Sequence, residues 1–514
     1  MRDKTLFRRV VRAERLKRGD KMKRKLFLTV ILVLALAVLC SCSPQGPLTG
    51  DTGMVPPEGI VSDLTDENYQ YGEIIENNFV SAAEQNSSYF SLDRNTASYT
   101  LMRRQIEEGL TVGKNSVRLE EYVNYFNYNY QRPQNGQALA VSGSLFDCPW
   151  NSENKLFTIG VAAEEISFEN PTQNNLVFLI DTSGSMYGDD RLGLIQQAFT
   201  MLLENLADND YVSIVTYAGD CRVALDGARG TEKTKIANVL QDLEASGSTN
   251  GSGGIQLAYE EAAKYFVEGG NNRVILATDG DFNVGISNKN QLKSFISEKR
   301  NSGIYLSVLG VGMFNTNDSI MKTLAESGNG NYAYLDSVAE ARKVLVEELN
   351  GTFNVVAKDA KAGVIFNPET VEKYRLIGYE SKMLSQDEFY DENKDAGEIG
   401  SGHTVTAVYE IKIKDNAAGN IATVEIKYKH PESNENKNIT ETFTTYDYSA
   451  NPDEDCIFIG CVVEYGLLLR NSEFKGNADF ENVISRLSQL SCVREDPFKA
   501  EFLEIVKKAC ILYS

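Results

Sequence analysis

Histidine is nearly missing from this chain. His403 and His430 are the only two in 514 residues, so imidazole-based triads and histidine zinc sites are all but excluded. Neither His-Glu-x-x-His nor Gly-x-Ser-x-Gly occurs, which removes the signatures of zinc proteases and of serine hydrolases. The glycine-rich stretch GSTNGSGG, residues 247–254, lacks both a Gly-Lys-Ser/Thr ending and any basic residue. It is no phosphate loop, and no nucleotide is expected. Positive charge is also short: 51 Lys and Arg face 72 Asp and Glu, a net charge of -21. That excess argues against nucleic acid and against anionic headgroups as ligands. DENKDAGE, from Asp391, begins like a calcium loop, but Ala396 stands where the tight turn needs glycine and Gly402 where the bidentate Glu belongs. No internal repeat is present.

Cysteine is sparse and wrongly spaced for zinc, with no CxxC or CxxH. Beyond Cys40 and Cys42 the cysteines are Cys148, Cys221, Cys456, Cys461, Cys492 and Cys510. An even count outside the cytoplasm permits disulfides, with one local bridge near the C-terminus as one reading and buried free thiols as the other.

Long apolar runs are missing too. The longest candidate, Leu26 to Leu39, has 14 residues interrupted only by Thr29, short of the ~20 a membrane-spanning helix needs. Lys21, Lys23, Arg24 and Lys25 precede it, and Leu39-Cys40-Ser41-Cys42 follows. A basic region, a short apolar core and a small residue before cysteine read as a bacterial lipoprotein signal, residues 1–41, cleaved before Cys42. The alternative is an uncleaved N-terminal anchor, and Met22 is an alternative start. One acyl chain anchors only marginally, at about 0.8 kcal/mol per buried methylene, so stable attachment through Cys42 implies two or three chains. The expected location is exported and lipid-anchored, on the cell membrane or the outer membrane. Removing residues 1–41, with 12 basic and 3 acidic side chains, leaves a net charge of -30.

What is present divides the rest of the chain. Residues 42–84, rich in Pro, Gly and small polar residues, read as a flexible tether. Residues 85–172 combine helical spacing over 96–108 and 118–128 with strands near 138–146 and 155–161. Its tyrosine-rich EYVNYFNYNY reads as a helix packing rings onto a neighbouring domain. Residues 174–350 alternate near-continuous apolar strands (176–180, 211–217, 273–277, 304–311, 332–335) with amphipathic helices, the last at 338–349. This is the pattern of an α/β, doubly wound parallel sheet covered on both faces. Residues 354–514 read as mainly antiparallel strands followed by three C-terminal helices, an α+β segment. Strands around 138–163 are expected to pair with strands after 354, making the α/β unit an insertion in one β-rich scaffold.

The densest chemistry lies in LVFLIDTSGSM, Leu176 to Met186. A buried strand runs into Asp-x-Ser-x-Ser, so Asp181, Ser183 and Ser185 offer hard oxygens at alternating positions of one turn. Thr249 in SGSTNG and Asp279 in RVILATDG can complete the set. Asp181 and Asp279 both fall at carboxyl ends of predicted strands, where parallel sheets bind ligands. Two carboxylates and three hydroxyls suit a small octahedral cation, Mg2+ or Mn2+. Neutral hydroxyl ligands leave that ion under-neutralised and attractive to an incoming carboxylate.

DTSGSM, GSTNG and ATDG closely resemble the metal-ion-dependent adhesion site of von Willebrand factor type A domains, a Rossmann-like fold. RLEEYVNYFNYNY, DCPW, RVILATDGDFNVG, GNGNYAYLD, YRLIGY and DAGEIGSGHTVTAVYEI resemble the YfbK-like lipoproteins, over roughly residues 85 to 514. The resemblance implies that Ser183 and Ser185 coordinate the ion and that Thr249 does so directly or through water. Asp181 and Asp279 would act mainly through water and by orienting the serines. The ion implied is Mg2+, with Mn2+ or Ca2+ as alternatives. Met186, Tyr187 and Asn250 would line the ligand rim, while Asp281 and Asn283 read as surface loop residues near it.

The implied function is a metal-dependent binding protein of the cell envelope that captures an Asp or Glu of a partner protein. The alternative is a structural or assembly factor whose metal site stabilises an internal or subunit interface. No catalytic constellation is present, and no enzyme is expected.

Overall fold

The computed structural model describes residues 73–514 apart from 167–172, 249–250, 281–288, 313–317, 349–350, 352–353 and 432. The signal segment with Cys42, the tether as far as residue 72, and Thr249, Asn250, Asp281 and Asn283 lie outside the described residues.

The folded part begins before the expected tether boundary at 84. Strand β1 (Val80–Ser81) leads to β2 (Ser87–Ser91), helix α1 (Ala97–Glu107), helix α2 (Leu119–Val123), β3 (Leu139–Asp147) and β4 (Lys155–Ala163). Val80 pairs with Tyr374, and Ala82 is buried. Sequence-distant partners order this stretch, among them Asn115, Gly378 and Ser472 through Ile74, Asn77 and Glu76, so nothing local signals it.

The central α/β unit follows as β5 (Asn174–Asp181), α3 (Leu192–Leu202), β6 (Tyr211–Tyr217), β7 (Cys221–Arg229), α4 (Lys233–Gln241) and α5 (Gly251–Lys264). It continues with β8 (Asn271–Thr278), α6 (Lys289–Asn301), β9 (Ile304–Gly310), α7 (Asp318–Ser327), β10 (Tyr332–Tyr334) and α8 (Val338–Arg342). Its six strands run in the order β10-β9-β8-β5-β6-β7. All pairs are parallel except β6 with β7.

The apolar run of β5 explains the two covered faces. Leu176, Phe178 and Ile180 enter one core with α3, while Val177 and Leu179 enter the other with α5, as the two-residue period of a strand requires. On α3, Leu194, Ile195, Ala198, Phe199 and Leu202 are buried at helical spacing, and Phe199 stacks on Phe178 at 4.1 Å. Each of the larger side chains among these contributes about 1.5–3 kcal/mol by burial. The sequence reading missed β7. It is a half-polar edge strand with register shifts against β6, so it shows no clean alternation.

After the α/β unit come β11 (Val355–Phe366), β12 (Val371–Ile377), β13 (Met383–Leu384), α9 (Gln386–Tyr390), β14 (Gly397–Gly400), β15 (Thr404–Ile413), β16 (Asn420–Lys429) and β17 (Asn436–Thr444). Helices α10 (Glu454–Arg470), α11 (Phe480–Gln489), α12 (Ser491–Glu495) and α13 (Pro497–Leu512) close the chain. One sheet has the order β1-β12-β15-β4-β3; the other runs β13-β2-β11-β16-β17, with β14 also on β11. The expected long-range pairing is present: β4 lies antiparallel to β15 and β2 antiparallel to β11. Phe90, Phe157, Ile159, Val364, Tyr409 and Val424 share the core of these sheets.

The helical layer holds an aromatic core. EYVNYFNYNY is helical only as far as Val123, shorter than its apolar spacing predicts, because Tyr125 and Phe126 turn inward onto Tyr99, Phe458 and Phe502. The last helix of the α/β unit also departs from expectation. It is α-helical to Arg342 and continues as a π-helical turn, Lys343–Glu347. Lys343 is buried there, with Nζ donating to the Tyr125 carbonyl at 2.7 Å.

The local disulfide considered for the C-terminal region is not formed. All six described cysteines are free, and Cys456 and Cys461 are buried on one helix within the apolar core. Among the described residues no helix is long and apolar enough to cross a membrane.

Candidate metal centre

Three strand ends build the site. Asp181 is the last residue of β5, and the chain then passes through Thr182 and Ser183 into a single 3-10 turn, Gly184–Met186. The Thr182 amide donates to the Tyr217 carbonyl at the end of β6 (2.9 Å), and its own carbonyl accepts from the Ser246 amide (2.7 Å). The Gly184 amide donates to the Gly247 carbonyl at 3.0 Å. Gly247 has φ +84, and an added Cβ on Gly184 would stand 3.3 Å from that carbonyl, so the two loops meet through backbone at positions suited to glycine.

Within this frame the oxygens converge. The Ser183 amide donates to Asp181 Oδ1 at 2.9 Å, and the hydroxyls of Ser183 and Ser185 are 3.1 Å apart. From β8, the Thr278 hydroxyl donates to Asp181 Oδ2 at 3.2 Å and accepts from the Gly280 amide at 3.2 Å. Asp279, one residue beyond β8, is buried. Asp181 and Ser183 are buried too, while Ser185 is half-buried. The structure therefore brings Asp181, Ser183, Ser185 and Asp279 to one sheet edge. Sequence reasoning missed Thr278 and Tyr217, whose ring is fully buried beside Asp181. Thr278 was visible in ATDG, but its role depends on which strand lies next to β8.

The electrostatics fit a cation. Burial pushes the Asp181 carboxyl up to about 6, the neighbouring Asp279 adds to the rise, and the hydrogen bonds from Ser183 oppose it. Among the described residues, the Ser183 amide and the Thr278 hydroxyl donate to that carboxylate, and the Tyr217 hydroxyl lies near it. A buried carboxylate against a second carboxylate is costly unless positive charge compensates it. No group of three or more His, Cys, Asp or Glu stands together as a metal cage among the described residues. The donor set here is hydroxyl-rich and oxygen-only, which favours hard divalent cations over zinc or copper.

The rim departs from expectation at one position. Met186 is not on the surface; it is 0% exposed and packs in the core with Phe178, Leu192 and Ile195. The 3-10 turn reverses the chain between Ser185 and Tyr187, so consecutive side chains leave in different directions. Tyr187 is 81% exposed beside the site.

Most of the chain is similar to known proteins. The model of the von Willebrand factor type A domain matches residues 175–348, one described as von Willebrand factor matches 65–158, and one described as the C-terminal region of YfbK matches 351–512. The chain is 37% identical over 468 residues to the YfbK protein of Escherichia coli (strain K12), covering 86% of this chain and 81% of that protein. It is 24% identical over 296 residues to mouse inter alpha-trypsin inhibitor heavy chain 4, covering 54% of this chain and 31% of the other. Among solved structures, a von Willebrand factor type A protein from Catenulispora acidiphila aligns with TM-score 0.40 and 14% identity, covering 66% of this chain and 81% of that one.

Proposed function

The chain belongs to the YfbK-like family of von Willebrand factor type A proteins, and on that footing we propose that it binds a partner protein through a divalent cation at the cell envelope. Type A domains are protein-interaction modules, and this one offers the site for it. The observation that carries the reading is the meeting of the Ser183 and Ser185 hydroxyls, 3.1 Å apart, with the Asp181 carboxylate at one sheet edge beside Asp279. The ion is Mg2+, with Mn2+ and Ca2+ as competitors for the same oxygens. Its neutral hydroxyl ligands leave charge to attract an Asp or Glu side chain of the partner. Thr249 adds a further hydroxyl, Tyr187 contacts the partner, and an acylated Cys42 holds the protein on its membrane. The chain performs no chemistry of its own in this role.

Calorimetric titration with Mg2+ tests it. Wild type binds the ion, while Asp181→Ala and Ser183→Ala keep their circular dichroism and lose binding. Capture of envelope proteins is then reversed by chelator. Equal ion binding by wild type and both variants overturns the proposal.

A further inference from the structure

Two arginines that belong to no donor set converge on the turn after Ser185. Arg191 donates from Nη1 to the Ser185 carbonyl at 2.8 Å. Its guanidinium lies over Gly312, where an added Cβ would stand 2.6 Å from Nε. Gly312 has φ +75, so a side chain there would be strained as well as blocked. The second arginine comes from outside the α/β unit. Arg104 of α1 donates from Nη2 to Asp190 Oδ2 at 2.7 Å, with side-chain exposures of 13% and 44% for the pair. Asp190 directly precedes Arg191.

Tyr334, the last residue of β10, ties the two together. Its hydroxyl lies beside Arg104 and donates to the Gly312 carbonyl at 2.8 Å. The adjacent residue of α1 faces another way. Arg103 pairs with Asp336 at 2.6 and 2.7 Å, and with Glu340 and with Glu501 of α13 at 2.8 Å each. Helix α1 itself packs into the α/β core through Ala97 and Leu101. One helix of the N-terminal segment thus holds the loop beside the candidate metal donors and, one residue away, the start of the last helix.

We infer that Arg104 is a positioning residue for the metal site: through Asp190 and Arg191 it holds the Ser185 turn in place, so the segment before the type A domain sets the domain's cation affinity. The inference rests on reading Asp181, Ser183 and Ser185 as metal donors. Its physical basis is the half-buried state of Ser185. A neutral hydroxyl gains little from the ion by itself, so its affinity depends on how well the turn is pre-arranged by outer contacts.

The experiment is a Mn2+ titration of the full chain, followed by electron paramagnetic resonance. Arg104→Gln weakens Mn2+ binding roughly fivefold, the scale of a partly exposed ion pair, while Arg104→Lys recovers part of the loss. Asp190→Asn removes the same pair from its exposed side and gives the same loss, and the double variant loses no more than either single one. Unchanged Mn2+ affinity in Arg104→Gln and Asp190→Asn overturns the inference while leaving the metal site standing. Absence of Mn2+ binding by the wild type overturns the metal reading itself, and this inference with it.

Discussion

Phe157 of β4 and Tyr409 of β15 are register partners in one antiparallel ladder, although the whole type A domain lies between them in the chain. Both side chains are buried in the same core. The segments before and after the type A domain are therefore halves of one scaffold. A fragment comprising residues 354–514 lacks β2 and β4, the neighbours of β11 and β15. It should melt without a cooperative transition, whereas the full chain melts cooperatively, as circular dichroism can show. Phe157→Ala in the full chain should cost about 3–5 kcal/mol in denaturant titration.

Met186 supplies a second test, because a rim residue and a core residue respond oppositely to truncation. Fully buried as it is, Met186→Ala should lose about 2–5 kcal/mol of stability. Tyr187→Ala, at an exposed neighbour, should stay within about 0.5 kcal/mol of wild type. Urea midpoints of the two variants decide the matter.

If the ion binds only the folded state, it must also stabilise that state. Mg2+ at a hundred times its dissociation constant should raise the unfolding free energy by about 2.7 kcal/mol, and chelator should reverse the gain. Asp181→Ala should melt at a temperature indifferent to both. Differential scanning calorimetry with and without chelator checks the pair of outcomes.

Acid sensitivity should come from buried carboxylates outside the candidate metal site. Burial alone would raise Glu121, but Arg118 and Lys322 prevail and hold its carboxyl down at about 2. Glu348 is lowered likewise to about 2 by Arg94 and Lys343 against its own burial. A folded-state value below the unfolded one means the stabilisation is complete above the ordinary carboxylate range near 4.5 and fades as pH falls towards 2. Urea midpoints should decline through that window. Glu121→Gln should flatten the decline while lowering stability at neutral pH.

The Arg103 cluster should be costly to break from one side. Arg103, Asp336 and Glu340 are nearly or fully buried, so Arg103→Met leaves two carboxylates without their cation. A loss of about 3–5 kcal/mol is expected. An unchanged denaturation midpoint would contradict the assignment.

Much of the architecture is legible in the amino-acid sequence. The apolar runs of β5, β6, β8 and β9 announce buried parallel strands, because a strand covered on both faces has no polar side to show. β11 and α13 were readable end to end, at Val355–Phe366 and Pro497–Leu512. What stayed hidden was held in place from far away. β1 exists through β12, and β7 is a bulged edge strand. The π-helical turn at Lys343 comes with a buried ammonium reaching the Tyr125 carbonyl. At the candidate metal site Asp181, Ser183, Ser185 and Asp279 could be singled out from the sequence, while Thr278, Tyr217 and Arg191 could not. Ser and Asp at alternating positions after a strand carry a local chemical pattern; a threonine or arginine acquires its role only from its neighbours.

The α/β character of the middle third and the cluster of oxygen-bearing side chains at Asp181, Ser183, Ser185 and Asp279 can be read along the chain alone. Both follow from local periodicity and side-chain type. Tertiary structure alone decided that Met186 turns into the core and that flanking segments interleave into shared sheets. It also decided that a helix preceding the domain grips the loop after Ser185. Those outcomes depend on which distant surfaces meet, and burial and ion pairing across such contacts leave no periodic trace along the chain.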